Sequence, residues 1–183
     1  MRTLASRRVL AVVVASTALT STALVAPTLA PAAGAQSLSF TSGAPTVCAE
    51  TGEDALKQTI DDIHEHTNRE RAEAGAPPVE RLDSLDDIAQ DWSSQMAAED
   101  RMRHNPGIRA QIDQTYRGQW RSYGENVLQN WCGASGEKLV EQWMTSRPHR
   151  VNLLNPAHTH LGVGAAVAGS SKLYSTQNFV RLR

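Results

Sequence analysis

Three titratable side chains stand beside residues that end helices or form turns, where binding and catalytic sites are commonly built. They are His104, Glu125 and His149, each close to a glycine or a proline in the chain. Two imidazoles and one carboxylate have the chemistry to hold a divalent cation with a position left open for water. The same residue types also serve as surface caps of helices and strands. The spacing of these residues in the sequence therefore indicates a candidate site, but it does not show that the three side chains lie close together.

Motifs for nucleophilic catalysis are absent from the sequence. It contains no G-x-S-x-G, no H-E-x-x-H, no G-x-x-x-x-G-K and no dinucleotide-binding glycine pattern. His64 and His66 are two apart on a predicted helix, so they point in different directions and are interpreted as solvated. His158 and His160 would share one face of a strand, but no third ligand accompanies them, and they are interpreted as surface residues.

Hydrophobic periodicity predicts the elements that must position these groups. Apolar residues at helical spacing predict helices over about 53–74, from Ser84 with Asp87 as a capping-box acid, near 108–112, and over about 136–145. Residues 124–128 are predicted as a loop that enters a short strand, and 161–167 with 173–180 as a closing hairpin. Helices that come first and strands that come last favour an α+β fold.

Composition and charge limit the classes of function. The 183 residues fit one domain, and 40% hydrophobic with 20% charged residues is enough to form a core. The formal net charge of −1 argues against a dedicated nucleic-acid binder. Acids dominate residues 50–100 and bases dominate 101–183. This asymmetry indicates either pairing between the two halves, which is the favoured interpretation, or a basic surface that faces an anionic envelope polymer.

Residues 1–35 have the order of a secretory signal peptide. Three arginines precede an apolar run over 9–15, and small residues lead to Ala35, where we predict cleavage. A membrane anchor is the alternative, but hydroxyl residues interrupt the run, which is short for a bilayer span. We therefore expect export by the general or the twin-arginine route, and no stable membrane span after the signal is removed.

The Ser-, Thr-, Gly- and Pro-rich residues 36–52 are predicted as a flexible N-terminal arm, which leaves 53–183 as the domain. The only two cysteines are Cys48 and Cys132. In an exported protein such a pair is most simply one disulfide, although two free thiols are the alternative. No Cys/His spacing indicates a structural zinc site.

Six short segments resemble, in order, the bacterial branch of the CAP superfamily, whose SCP-type domain is shared by cysteine-rich secretory proteins, antigen 5 and plant pathogenesis-related 1 proteins. The resemblance covers about residues 60–179, and the order of the segments is what makes it specific. The segments are Asn68-Arg69-Glu70-Arg71 with Gly75-Ala76-Pro77-Pro78, Ala89-Gln90-Asp91-Trp92, His104-Asn105, Gly124-Glu125-Asn126, the stretch from Trp143 to His149-Arg150, and the hairpin pair Gly162-Val163-Gly164 and Thr176-Gln177-Asn178-Phe179.

The resemblance implies a three-layer α-β-α sandwich with a small antiparallel sheet. It also implies a ligand cleft lined by His104, Glu125 and His149, with Asn126 and Ser146 beside them. Ser146 stands where many animal and plant members have a second glutamate, and the loss of that carboxylate weakens a metal site on the two histidines. Purely structural roles stay open, because Glu125 and Asn126 are also suited to satisfy buried backbone groups.

The family resemblance also implies a secreted protein, either extracellular or associated with the cell wall. The first hypothesis is a binding module for a lipid, an envelope component or a protein ligand, without catalysis. The alternative is a metal-assisted hydrolase, in which His104 and His149 bind a metal such as zinc and Glu125 activates water. A third is a structural envelope protein with a vestigial cleft. The lack of a nucleophile and of the second carboxylate favours the binding module.

Overall fold

The structure is a computed structural model that describes residues 52–183. The predicted signal peptide, Cys48 and all of the predicted arm except Gly52 lie outside the described residues, so these expectations stay predictions. None of the helices in the described part of the chain combines the length and the apolar character that a membrane span requires. The elements are α1 (Glu53–Glu73), β1 (Glu80–Arg81), α2 (Asp83–Ala98), α3 (Ile108–Tyr116), β2 (Trp120–Trp131), α4 (Gly136–Thr145), α5 (Arg147–Leu153), β3 (His160–Val167) and β4 (Lys172–Leu182).

The strands form one sheet in the order β1-β3-β4-β2. The central strand β4 pairs antiparallel with β3 and with β2, and every residue from Leu173 to Val180 is buried. The short β1 pairs parallel with β3 through Glu80 and Arg81. The predicted antiparallel sheet is therefore confirmed, with one short parallel strand added at its edge.

Helices cover both faces of this sheet. Ser93 of α2 donates a hydrogen bond to Thr176 of β4 at 2.9 Å, and the next residue of β4, Gln177, donates to Thr67 of α1 at 2.8 Å. Successive strand residues point to opposite faces, so α1 and α2 lie on opposite sides. Helices α4 and α5 join α1, and α3 joins α2. The predicted three-layer α-β-α sandwich is confirmed.

Two glycines allow α2 to lie directly on β3. A Cβ atom at Gly162 would overlap the backbone of Leu85, and one at Gly164 would overlap the backbone of Ala89. Only a residue without a side chain permits this approach of helix and strand. The Gly-x-Gly step in the sequence therefore sets the distance between the helical layer and the sheet.

Side chains of α2 also cover the edge of β3 beyond the short β1. Asp86 accepts a hydrogen bond from the Val163 amide at 2.7 Å. The Gln90 amide both accepts from the Ala165 amide at 3.1 Å and donates to the Ala165 carbonyl at 2.9 Å. These bonds replace the missing strand partner and protect an edge that would otherwise expose unpaired backbone groups.

A buried arginine ties α1 to the segment that follows α5. Arg71 is 0% exposed, and its guanidinium donates to four backbone carbonyls. The acceptors are Pro77 at 2.8 Å, Leu153 at 2.7 Å, Asn155 at 3.0 Å and His158 at 3.2 Å. Burial lowers the pKa of this guanidinium. Arg71 thus ties the turn after α1 to the backbone of residues 153–158.

Four local predictions are wrong. His64 and His66, interpreted as solvated, are both partly buried, and Nε2 of His64 lies 3.1 Å from the Val79 carbonyl. The helix expected from Ser84 begins at Asp83 without a side-chain cap, and the Ser84 hydroxyl instead lies 2.7 Å from that of Tyr116. The segment expected as a loop around Gly124 lies inside the 12-residue β2, because pairing with β4 extends along the whole strand. His158, interpreted as a surface residue, is 3% exposed and stacks on Phe179 with the ring centroids 5.3 Å apart.

Candidate functional site

Glu125 and His104 form the centre of the site. Oε1 of Glu125 lies 2.6 Å from Nδ1 of His104 and accepts the backbone N–H of Asn105 at 2.9 Å. The Glu125 side chain is 5% exposed, whereas that of His104 is 64% exposed. The buried carboxylate therefore fixes the imidazole ring and leaves Nε2 of His104 for a ligand.

The loop that carries His104 is anchored on both sides. The indole of Trp92 in α2 donates to the Arg103 carbonyl at 2.9 Å, and the Arg103 guanidinium lies over the Trp92 ring, 4.7 Å from its centroid. On the other side, the Asn105 amide donates to Gln111 of α3 at 2.8 Å. Packing against α2 and α3 thus determines where the His104 ring stands.

His149 lies in α5, which packs with α1 on the face of the sheet opposite to α2. Burial lowers the pKa of His149, which keeps its imidazole neutral near pH 7. Glu125 of β2, at the edge of the sheet, contacts His104 directly, and the next residue of the strand, Asn126, donates from its amide to the His149 carbonyl at 3.1 Å. The structure therefore joins His104 to Glu125 and ties His149 to the same strand.

Two buried polar atoms of the cleft lack a hydrogen-bond partner among residues 52–183. They are Oε2 of Glu125 and Nδ1 of His149. Burial also raises the pKa of the Glu125 carboxyl, against hydrogen bonds from Asn105 and His104 that lower it. Buried polar atoms are almost always paired in native proteins, so these two mark where a ligand would be held.

Asn126 lies behind the cleft rather than in it. It is 0% exposed, and its amide donates to the His149 carbonyl at 3.1 Å and to Gln177 at 3.0 Å. Asn152 of α5 completes the link, because its amide donates to the Glu125 carbonyl and to Asn126, both at 3.1 Å. Asn126 therefore positions the helix that carries His149. Sequence reasoning missed Asn152, although its spacing of three residues from His149 places both on one helix face.

Ser146 occupies the junction between α4 and α5. Its backbone N–H donates to the Trp143 carbonyl at 3.2 Å, and its own carbonyl accepts the Arg150 amide at 2.8 Å. The residue is partly buried and has an extended backbone, which separates the two helices. Ser146 thus sets the turn from which α5 presents His149.

The side chains of this cleft do not fit a three-ligand metal site. Within the described ranges, no group of three or more His, Cys, Asp or Glu side chains is placed to hold a metal ion. The Glu125 carboxylate is turned towards His104 and Asn105, where it orients an imidazole. His104 and His149 remain a pair of imidazoles without the third protein ligand of a catalytic zinc site.

Exposed apolar side chains accompany the polar cleft. Three large ones lie two residues along the chain from its members: Met102 (48% exposed) from His104, Tyr123 (38%) from Glu125, and Val151 (62%) from His149. Val151 also lines a groove of about 490 Å³ on α5. Residues two apart on a helix point in different directions, so Val151 belongs to this groove, whereas Met102 and Tyr123 are the exposed apolar residues nearest in sequence to His104 and Glu125.

The segments that resemble the CAP superfamily include the residues of this cleft. A family model matches the same part of the chain. The model described as "CAP: Cysteine-rich secretory protein family" matches residues 64–179, which include all three cleft side chains. The chain belongs to the CAP family. Its CAP domain therefore extends from the middle of α1 into β4.

Known proteins resemble this CAP domain in sequence and in structure. The uncharacterized protein YkwD of Bacillus subtilis (strain 168) is 31% identical over 121 residues, a match that covers 64% of this chain and 45% of YkwD. The crystal structure of an extracellular SCP-domain protein from Bacillus anthracis str. Ames has 28% identity and a TM-score of 0.59, and the match covers 71% of this chain and 44% of that chain. This chain thus spans less than half the length of either protein.

An outer surface protein from Borrelia burgdorferi has the same fold at low identity. Its TM-score is 0.61 at 15% identity, and the match covers 70% of this chain and 96% of that chain. This likeness concerns the CAP fold alone. The same fold therefore forms from sequences that differ widely.

Proposed function

We propose that this chain is an exported CAP-domain protein that acts as a binding module in the extracellular space or at the cell wall. Its ligand is an amphiphile, such as a lipid of the cell envelope, whose head group combines an anionic group with a hydroxyl that donates to Oε2 of Glu125. The observation that carries the proposal is the pair of buried polar atoms without a partner on Glu125 and His149, with the exposed apolar residues Met102 and Tyr123 two positions away in sequence from His104 and Glu125. Ligand sites typically combine a mostly apolar lining with a few polar groups that orient the ligand.

The charge of the cleft favours an anionic head group. Its one carboxylate, on Glu125, is buried, and Oε1 is occupied by His104 and the Asn105 amide, which leaves only Oε2 for a head-group hydroxyl. Arg147 and Arg150 of α5 are exposed and form no salt bridge with any residue that the structure describes. Guanidinium and imidazole groups are the usual partners of phosphate and carboxylate.

Two observations support export. Residues 1–35 have the order of a signal peptide. The relative from Bacillus anthracis is described as extracellular, and the one from Borrelia burgdorferi as an outer surface protein.

Histidine-selective NMR tests the proposal directly. The probe is dihexanoyl phosphatidylglycerol, titrated as a monomer into the full chain. We expect shifts of the His104 and His149 resonances and none of His160, which pairs with Glu80 at 3.6 Å away from the cleft. His149→Phe keeps most of the buried volume and should weaken binding at least about tenfold, the effect of losing one hydrogen bond to a charged group.

The matched control is His160→Phe, which should leave the affinity unchanged. Equal losses in both variants, or shifts spread evenly over all histidines, would refute a lipid site in the cleft. If glycerol phosphate alone produced the same shifts as dihexanoyl phosphatidylglycerol, the ligand would be restricted to a small anion.

A second function is favoured by the Glu125–His104 pair. A carboxylate on the far nitrogen of an imidazole is the arrangement that orients metal-binding histidines. We therefore keep metal-assisted hydrolysis as the alternative, with His104 and His149 as the candidate ligands. Calorimetric titration with Zn²⁺ decides it, because absent binding, or equal binding in the His104→Ala, His149→Ala double variant, removes the alternative.

A further inference from the structure

The basic half of the chain is not neutralised by the acidic half. Nine arginines follow residue 100, and Arg103, paired with Glu99, is the only one of them in a salt bridge within the described part of the chain. Residues 1–51 contain a single acid, Glu50. The favoured interpretation of internal pairing is therefore wrong for most of these arginines.

Four of the unpaired arginines lie at one end of the sheet, and we call them the arginine cluster. Arg117 ends α3, Arg121 lies at the start of β2, and Arg181 and Arg183 lie at the end of β4. Arg181 is the cross-strand partner of Ser122, and the Arg183 amide donates to the Gln119 carbonyl at 2.9 Å. All four side chains are exposed.

A cavity of about 410 Å³ opens within the arginine cluster. It is lined by Arg117, Arg183, Thr115, Tyr116, Gln119 and Leu182. Asp113 is the acid on the same turn of α3, and it accepts the indole N–H of Trp120 at 2.8 Å. The cluster therefore keeps a net positive charge next to hydrogen-bonding side chains.

The backbone conformation of Arg117 allows its role in binding to be tested without a loss of stability. Its φ is 42°, in the left-handed region that glycine adopts without strain. Gly118 follows with φ 76°. An arginine in this conformation destabilises the fold, so a glycine there removes the guanidinium without weakening the backbone.

We propose that the arginine cluster binds a phosphate-bearing polymer of the cell envelope; the choice of an envelope polymer rests on the proposed export. Guanidinium groups bind phosphate through two parallel N–H donors, and Arg121 and Arg181 lie on the neighbouring strands β2 and β4. Thr115 and Gln119 offer hydrogen bonds to the polyol or sugar units between phosphates. The hydroxyl of Tyr116 is engaged by Ser84, and the cavity offers no exposed ring on which nucleic-acid bases would stack.

The test is binding of the full chain to fluorescent sodium polyphosphate over a range of salt concentrations, with polyglutamate and single-stranded poly(dA) as other polyanions. We expect binding to polyphosphate that weakens with salt. Arg117→Gly should lose about fivefold in affinity at low salt, as one surface arginine contributes near an anionic surface, with an unchanged or higher melting temperature. The Arg181→Gln, Arg183→Gln double variant should lose more and flatten the dependence on salt.

The matched control is Arg101→Gln, which makes the same change of charge next to Asp100, where Tyr174 and Lys172 of the hairpin bind. It should change the affinity less than twofold. Equal losses in Arg101→Gln and Arg117→Gly, no binding of polyphosphate, or binding of poly(dA) as tight as that of polyphosphate would overturn the proposal. Arg117→Gly must leave the binding of dihexanoyl phosphatidylglycerol unchanged, which separates a failure of this proposal from a failure of the lipid cleft.

Discussion

Replacement of Arg71 by methionine tests the account of the fold most directly. Methionine retains an apolar stem of similar length and removes the guanidinium. The four carbonyls that Arg71 satisfies belong to Pro77, Leu153, Asn155 and His158. They lie in the turn after α1 and in the segment that leads from α5, with its His149, to β3.

The expected loss follows from those carbonyls. A buried acceptor left unsatisfied costs about 1–3 kcal/mol, and a carbonyl that keeps other contacts lies near the lower value. The loss of four such bonds therefore lowers the free energy of unfolding by about 4 kcal/mol. This is a large part of the roughly 5–15 kcal/mol that is typical of a domain.

Urea denaturation followed by tryptophan fluorescence measures this loss, because the chain has four tryptophans. The matched control is Arg69→Met on the same helix, where the arginine is exposed and pairs with Glu137 at 2.9 Å. Exposed ion pairs contribute little, so this control should barely move the midpoint. Equal midpoints for the Arg71 and Arg69 variants would refute the role assigned to the buried guanidinium.

Three further predictions concern stability. Gly164→Ala forces α2 away from the sheet and should destabilise the fold by about 3 kcal/mol or prevent folding. Gly169→Ala, with open space around the added Cβ atom, should leave the stability unchanged. Urea denaturation midpoints measure the stability of both variants. Burial lowers the pKa of His158 in the folded chain, so below about pH 6.5 the unfolded chain binds more protons than the folded chain. The free energy of unfolding should therefore fall as the pH drops from about 7.5 to about 5.5. In His158→Gln this dependence on pH should be flatter. Intact mass after alkylation should show two labelled thiols, on Cys48 and Cys132, only when a reductant is added; labelling without reductant would contradict the disulfide.

Sequence reasoning predicted the elements whose signals are local. Helix α1 and the hairpin of β3 and β4 have the extents that periodicity and turn residues indicate, within a few residues. Strand β2 was missed around Gly124, because its pairing partner β4 lies more than 50 residues further along the chain. His158 was misjudged for the same reason, since its burial depends on stacking against Phe179.

The candidate site was predicted as residue identities and not as geometry. The short segments around His104, Glu125 and His149 indicated which side chains matter. They did not indicate that Glu125 bonds Nδ1 of His104 and the Asn105 amide rather than facing a metal ion. They also placed Asn126 in the cleft, whereas its hydrogen bonds put it behind His149.

The sequence by itself determined the helical and strand patterns, the order of a signal peptide and the three polar side chains of the cleft. Each of these features depends on residues that are close together in the sequence, so local spacing is sufficient to predict it. Only the tertiary structure decided that a carboxylate from β2 meets an imidazole 21 residues away, and that Arg181 and Arg183 form no salt bridge with any residue from 52 to 183. Such contacts arise when distant segments pack around a shared core, and packing depends on the whole chain at once.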